Sequence, residues 1–182
     1  MLLTRPQQGV ALLAVLIFLE VFALLSLFAL QQQEWNSQLT KRLKIRNTGL
    51  VLAEQTLTTI ENHLLITDPA CLIPTTPAPI LNRKSLAWWR SVSCAGNFQA
   101  FQYYYVVEFM GMDACATVAG EADKMETPVA YYRVTLAFTP LSDPDLKWLL
   151  QSTMVRRATS DAVCTGPSHA VPLGRQRWQE LS

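Results

Sequence analysis

The sequence is short of the groups that chemistry needs. Its two histidines, His63 and His169, lie far apart and neither stands beside a nucleophile motif, so no catalytic pair is expected. Seven glycines form no run that could cradle a phosphate. The four cysteines show no C-x-x-C spacing, which removes the zinc ribbon and the dithiol redox motif. Asp143 and Asp145 share the turn-like stretch "SDPDL", but two carboxylates fall short of the about six to eight oxygens that calcium takes. Fifteen Lys and Arg against fourteen Asp and Glu leave a formal net charge of +1. Only "KRLKIR", residues 41–46, gathers basic groups, so there is no nucleic-acid footprint. No enzyme, cofactor, metal or direct nucleic-acid partner is expected, which leaves packing as the chemistry of the chain.

What the sequence does have is a long apolar run. Residues 10–30 are apolar except for Glu20 and Ser26, and about 20 helical residues at 1.5 Å each span a hydrocarbon core of about 30 Å. A cleaved secretory signal fits poorly, because its apolar core is only about 7–15 residues long and ends in a small-x-small site. Here the run passes into "QQQEWNSQLTKRL", all helix formers, and no breaker occurs before Pro69.

The helix is therefore expected to continue. Leu39, Leu43, Leu50, Ala53, Leu57, Ile60 and Leu64 recur at spacings of three, four and seven, an amphipathic stripe that must pack on something. Gly49 weakens the helix by about 1 kcal/mol relative to alanine, and "TDP", residues 67–69, ends it. The result is one helix of about 57 residues, near 85 Å long.

Cys71, Cys94, Cys115 and Cys164 all lie beyond the apolar run and read as two disulfides, which places the body of the protein in the periplasm or outside the cell. Three connectivities are open on sequence alone. The preferred one is Cys71–Cys94 with Cys115–Cys164, whose second loop of roughly 50 residues is worth about 4 kcal/mol on a chain-entropy argument. Lys41, Arg42, Lys44 and Arg46 would draw their side of the membrane into the cytoplasm. The cysteines outweigh that statistical rule, so the C-terminal side is expected in the periplasm.

After a proline-rich stretch, residues 74–80, come four β-rich runs at 101–110, 114–119, 130–138 and 147–155. Turns are expected at Gly111-Met112-Asp113, "GEADKMETP" and "TPLSDPD". With no helix-length pattern between them, the strands should pair antiparallel. The amphipathic stripe covers one face, giving an α+β fold. Trp88 and Trp89 are adjacent and seldom would both enter one core. Either one is an exposed interface anchor or their loop folds back on the sheet, and the second reading is preferred.

The stretch "QQGVALLAVLI" resembles the processing site of a type IV prepilin, in particular that of the PilX-like minor pilins and the K-type minor pseudopilins of type II secretion. "LVLAEQTLTTIE" is similar to the alanine-and-glutamate part of the PilX helix, "YYVVEFMG" to its first strand, and "YYRVTLA" with "WLLQSTMVRR" to later strands. The resemblance implies a pilin-like fold with a leader at 1–9, a membrane or filament-core half-helix at 10–30 and an amphipathic half at 31–66. An αβ loop at 67–100 and a β-sheet domain with a C-terminal tail at 101–182 follow.

It further implies that a prepilin peptidase cuts between Gly9 and Val10 and that Val10 is N-methylated. Most pilins carry glutamate as the fifth mature residue, whereas this chain has Ala14. K-type pseudopilins also lack that acid and cap their filament, so Ala14 points to the tip. Glu20, a carboxylate costing about 2.5–3.5 kcal/mol in the bilayer, then becomes a candidate contact to another subunit's helix.

By the same resemblance the chain would prime, and sit at the tip of, a type IV pilus serving adhesion, motility or DNA uptake. Its partners would be other minor pilins, the major pilin, a large tip adhesin, the peptidase and the inner-membrane assembly platform. It would pass from the inner membrane to the extracellular tip. The rival readings are a minor pseudopilin of type II secretion and an uncleaved, membrane-anchored periplasmic binding module.

Overall fold

A computed structural model describes residues 6–119, 128–158 and 162–181, with side chains from Leu12 onward. In chain order the elements are α1 (Pro6–Ile66), β1 (Leu72–Ile73), α2 (Ala78–Arg83), α3 (Leu86–Val92), β2 (Cys94–Phe98) and β3 (Phe101–Asp113). Then come β4 (Ala116–Val118), β5 (Val129–Pro140), β6 (Trp148–Arg157), β7 (His169–Val171) and β8 (Gly174–Leu181). The chain divides into two units, Met1–Asn47 and Thr48–Ser182. The first holds only the N-terminal part of α1, and the second holds the rest of that helix with the whole sheet.

In the second unit the protein is α+β, with α1 packed on a mostly antiparallel sheet ordered β1-β3-β5-β6-β8, to which β2 is added on β3. Since β5 pairs with the full length of β3 from Phe101 to Asp113, β1 and β2 must share its other edge. β2 runs antiparallel from Cys94↔Tyr105 to Phe98↔Phe101, and β1 runs parallel at Leu72↔Val107 and Ile73↔Glu108. A second, two-stranded sheet pairs β4 with β7 in parallel.

Period-two alternation sorts the strand side chains into two cores. Phe101, Val107, Val134, Leu136, Phe138, Leu150 and Met154 face α1 and pack on Leu52, Ala53, Leu57, Ile60 and Leu64. These helix positions repeat at three and four, so one stripe of α1 is buried. Gly49 lies against a side chain of β6: a Cβ there would meet the Trp148 ring at 2.7 Å.

Several expectations need correction. The part of the stripe that lies in the second unit packs on the sheet through Leu52, Ala53, Leu57, Ile60 and Leu64, while Leu39 and Leu43 belong to the first unit and are exposed there. Periodicity tells which side of a helix is apolar and not what covers it. The sheet is covered on both faces rather than one. Residues 67–100 are not a plain loop, since β1, β2, α2 and α3 lie there, and Leu81 and Trp89 bury against Tyr104, Val106, Ala137 and Leu149. These helices of six and seven residues are too short for an apolar period to register. Ser85 does cap the second, its hydroxyl accepting from the Trp88 N–H.

Gly111 is no turn. β3 continues through it to Asp113, with a bulge between Phe109 and Gly111 and a φ of 141° at the glycine, a conformation that side chains avoid. The tail also contributes to the fold, because β8 closes the sheet against β6.

Candidate functional site

The first unit carries the most distinctive surface. From Leu12 to Leu30 every large apolar side chain is exposed, from 49% at Val21 to 69% at Phe18. Successive residues around the helix are alike, so no polar side exists. A helix apolar all round needs an apolar solvent or a bundle of like helices. It is long and apolar enough to cross a membrane. Ser26 is masked, its hydroxyl donating to the Phe22 carbonyl at 2.8 Å.

Glu20 is thus the one ionisable group between residues 12 and 30, and it is exposed on the helix surface. Ala14 is likewise exposed. Gly9 and Val10 lie in the backbone of α1, but the Val10 side chain, and residues 1–5 of the expected leader, lie outside the described residues. Just beyond the run Trp35 is exposed, ahead of the basic residues from Lys41 onward. Tryptophan is enriched where a membrane meets water, a signal that the sequence reading did not use.

The second unit is braced by charge. Glu108 is fully buried on β3, and Arg133 of β5, opposite it, donates from Nε and Nη2 at 2.7 and 2.8 Å. The same carboxylate accepts the Thr76 N–H at 2.6 Å while Arg133 bonds the Thr76 carbonyl at 2.7 Å. The bond to Glu108, reinforced by its charge and opposed by burial, raises the Arg133 pKa further above its usual value. The pair therefore pins the segment before α2 to the sheet.

Arg175 of β8 does the same for α1. Its Nε donates to both Glu61 oxygens at 3.1 and 2.8 Å, Nη2 donates to the Thr58 hydroxyl at 2.9 Å, and Nη1 lies 3.6 Å from Glu54. Lys147 donates to the carbonyls of Asn82 and Lys84, each at 3.0 Å, closing the end of α2, and desolvation lowers its pKa. Neither brace is readable from local sequence.

The cysteines pair as Cys71–Cys94 and Cys115–Cys164, with Cα separations of 5.6 and 4.7 Å. The first joins β1 to β2 at the seam where they meet along β3. Their sequence separations of 23 and 49 correspond to about 3.4 and 4.1 kcal/mol on the chain-entropy argument.

The two histidines lie with separate partners. His63 meets the Thr67 hydroxyl at 2.9 Å, and His169 lies 3.3 Å from Asp113, whose carboxylate also accepts the Cys115 N–H. Asp143 and Asp145 lie in the turns between β5 and β6. Trp89 is fully buried and Trp88 half-buried edge-on to it, with ring centroids 5.2 Å apart. The segment thus folds back on the sheet, and neither ring stands out as an anchor.

Compared with known proteins, the chain matches no family model, and no curated protein or solved structure gives a significant match.

Proposed function

We propose that the chain is a PilX-like minor pilin, made as a single-pass inner-membrane precursor with its C-terminal unit in the periplasm. On this reading it is cut after Gly9, methylated on Val10 and inserted at the tip of a type IV pilus, where it primes assembly with other minor pilins, the major pilin and a large tip adhesin. The observation that supports it is the two-fold character of α1, which is apolar on every side over residues 12–30 and apolar on one side over 48–66. An anchor alone needs the first part only. A rod that leaves lipid for a bundle of sister helices needs the first part to suit both surroundings and the second part to carry the folded domain.

Ala14 leaves this subunit without the usual acid for a preceding neighbour's amine, which fits a subunit with no predecessor. Glu20 lies about 15 Å along the helix from Val10, so it meets a positive group on a neighbouring helix at another axial stagger. A carboxylate in an apolar bundle is retained where such a pairing offsets its desolvation.

Mass spectrometry of the purified protein tests the reading. A first residue of N-methylated Val10 is expected, and a chain starting at Met1 would make it an uncleaved anchored module. For Glu20, the Glu20→Ala variant should lose crosslinks to partner helices and lower the number of pili per cell. Unchanged crosslinks and pilus number would refute the pairing.

A further inference from the structure

The basic cluster of the first unit has no acid beside it. Lys41, Arg42, Lys44 and Arg46 are all exposed on α1, and no Asp or Glu lies between Glu34 and Glu54. On a helix surface, charges find their partners three or four positions away. None of these four has a carboxylate at either spacing. Lys41 with Lys44, and Arg42 with Arg46, stand instead as like charges three and four apart, an arrangement that costs a helix stability. Arg46 already has an interaction of its own. For Lys41, Arg42 and Lys44 the balancing negative charge has to come from outside the helix.

The distance along α1 names its source. Lys41 is eleven residues past Leu30, about 16 Å along the axis. With the apolar run filling the hydrocarbon, the headgroup layer takes up about 5–8 Å of that distance. Side chains of Lys41 and Arg42 that lean back toward the bilayer by about 6 Å end about 3–7 Å from the headgroups. That is inside the Debye length of about 8 Å at physiological salt, and Lys44 ends at its limit. Trp35, exposed and about 7.5 Å past Leu30, falls in the layer itself, where tryptophan is enriched. The three cations are also spread around the helix rather than aligned. At about 100° per residue they cover an arc of about 160°, whereas packing against one neighbour uses a stripe of about 100°. Headgroups surround a helix that stands in a bilayer, so they can answer all three.

We propose that Lys41, Arg42 and Lys44 form a collar that gathers anionic phospholipid headgroups around α1 and fixes how deep the helix sits in the bilayer. The inference rests on the single-pass membrane part of the reading above. It needs neither cleavage after Gly9 nor a filament.

The test uses the full chain in vesicles of equimolar phosphatidylglycerol and phosphatidylcholine. Photoreactive p-benzoylphenylalanine replaces Gln38, which is exposed on the same arc one turn nearer the apolar run, and mass spectrometry counts the adducts to each lipid. The ratio of phosphatidylglycerol to phosphatidylcholine adducts should exceed that of a Lys41→Gln, Arg42→Gln, Lys44→Gln triple variant by about fivefold or more, the worth of one cation near a charged surface. Raising the salt from about 0.05 M to about 0.5 M, which shortens the Debye length from about 14 Å to about 4 Å, should remove most of that difference. The unfolding temperature of the second unit should be the same in both chains. Equal ratios in the two chains, or a difference that salt leaves unchanged, overturn the collar and leave the anchor standing. A chain that fails to float with the vesicles overturns both. In the membranes of the cells that make the protein, adducts from the same position to an acidic segment of a second polypeptide, in place of lipid, would also overturn the collar.

Discussion

Replacing Gly49 with alanine sets two effects of opposite sign against each other. In a bare helix the change should stabilise by about 1 kcal/mol. Here the new Cβ would lie 2.7 Å from one carbon of the Trp148 ring and 2.9 Å from the next, whereas carbon–carbon contact begins near 3.5 Å. The ring must therefore withdraw by about 0.8 Å, and it has little room. Trp148 is buried, its ring centroid is 6.1 Å from that of Phe101, and Phe101 stacks on Phe138 at 4.9 Å. Overpacking of this kind costs about 1–3 kcal/mol, so the expected net result is a loss of about 1 kcal/mol. Urea unfolding of the full chain in detergent, followed by tryptophan fluorescence, measures it. In a Trp148→Phe background, where the ring is smaller, Gly49→Ala should be neutral or stabilising, and the difference between backgrounds is the coupling energy. A stabilisation of about 1 kcal/mol in both backgrounds would refute the close approach of helix and ring.

Glu108→Ala leaves the Arg133 guanidinium and the Thr76 N–H without their buried partner, and should destabilise by about 3–5 kcal/mol in the same unfolding assay. Loss of less than 1 kcal/mol would mean that solvent reaches the site. Tyr105 makes a pH prediction. Burial, with a smaller contribution from Tyr103, raises its phenol pKa above the usual value, so the folded state holds the proton longer than the unfolded chain. The associated stability is fully present below about pH 10 and is lost as pH rises through the folded pKa. Tyr105→Phe should flatten that alkaline decline in thermal melts. Lys147, lowered by desolvation, acts with the opposite sign in both proteins, so their difference isolates the tyrosine.

Legibility in the sequence followed the range of the interaction. The apolar run from 10 to 30 and the strands around Tyr104 and Val134 were readable, because period and composition are local. The layer of α2 and α3 over the second face was not, since two short helices after a proline-rich stretch carry no period. Gly49 read as a weak point in the helix and proved to make room for the Trp148 ring, which lies on a strand far along the chain. Glu108 inside the apolar "YYVVEFMG" was a usable hint, as a charge within a buried strand calls for a partner. Nothing local named Arg133, or tied Arg175 to Glu61.

The guanidinium of Arg175 and the carboxylate of Glu61 are separated by 114 positions, which makes order of synthesis matter. As the chain emerges, the helix has to wait with an unanswered acid on its inner stripe until almost all the remaining strands exist. Contacts spaced so widely form slowly, and the main sheet is completed by the last of its described strands. Shortening the protein by even this one strand would therefore unlatch its oldest helix rather than trim a dispensable end.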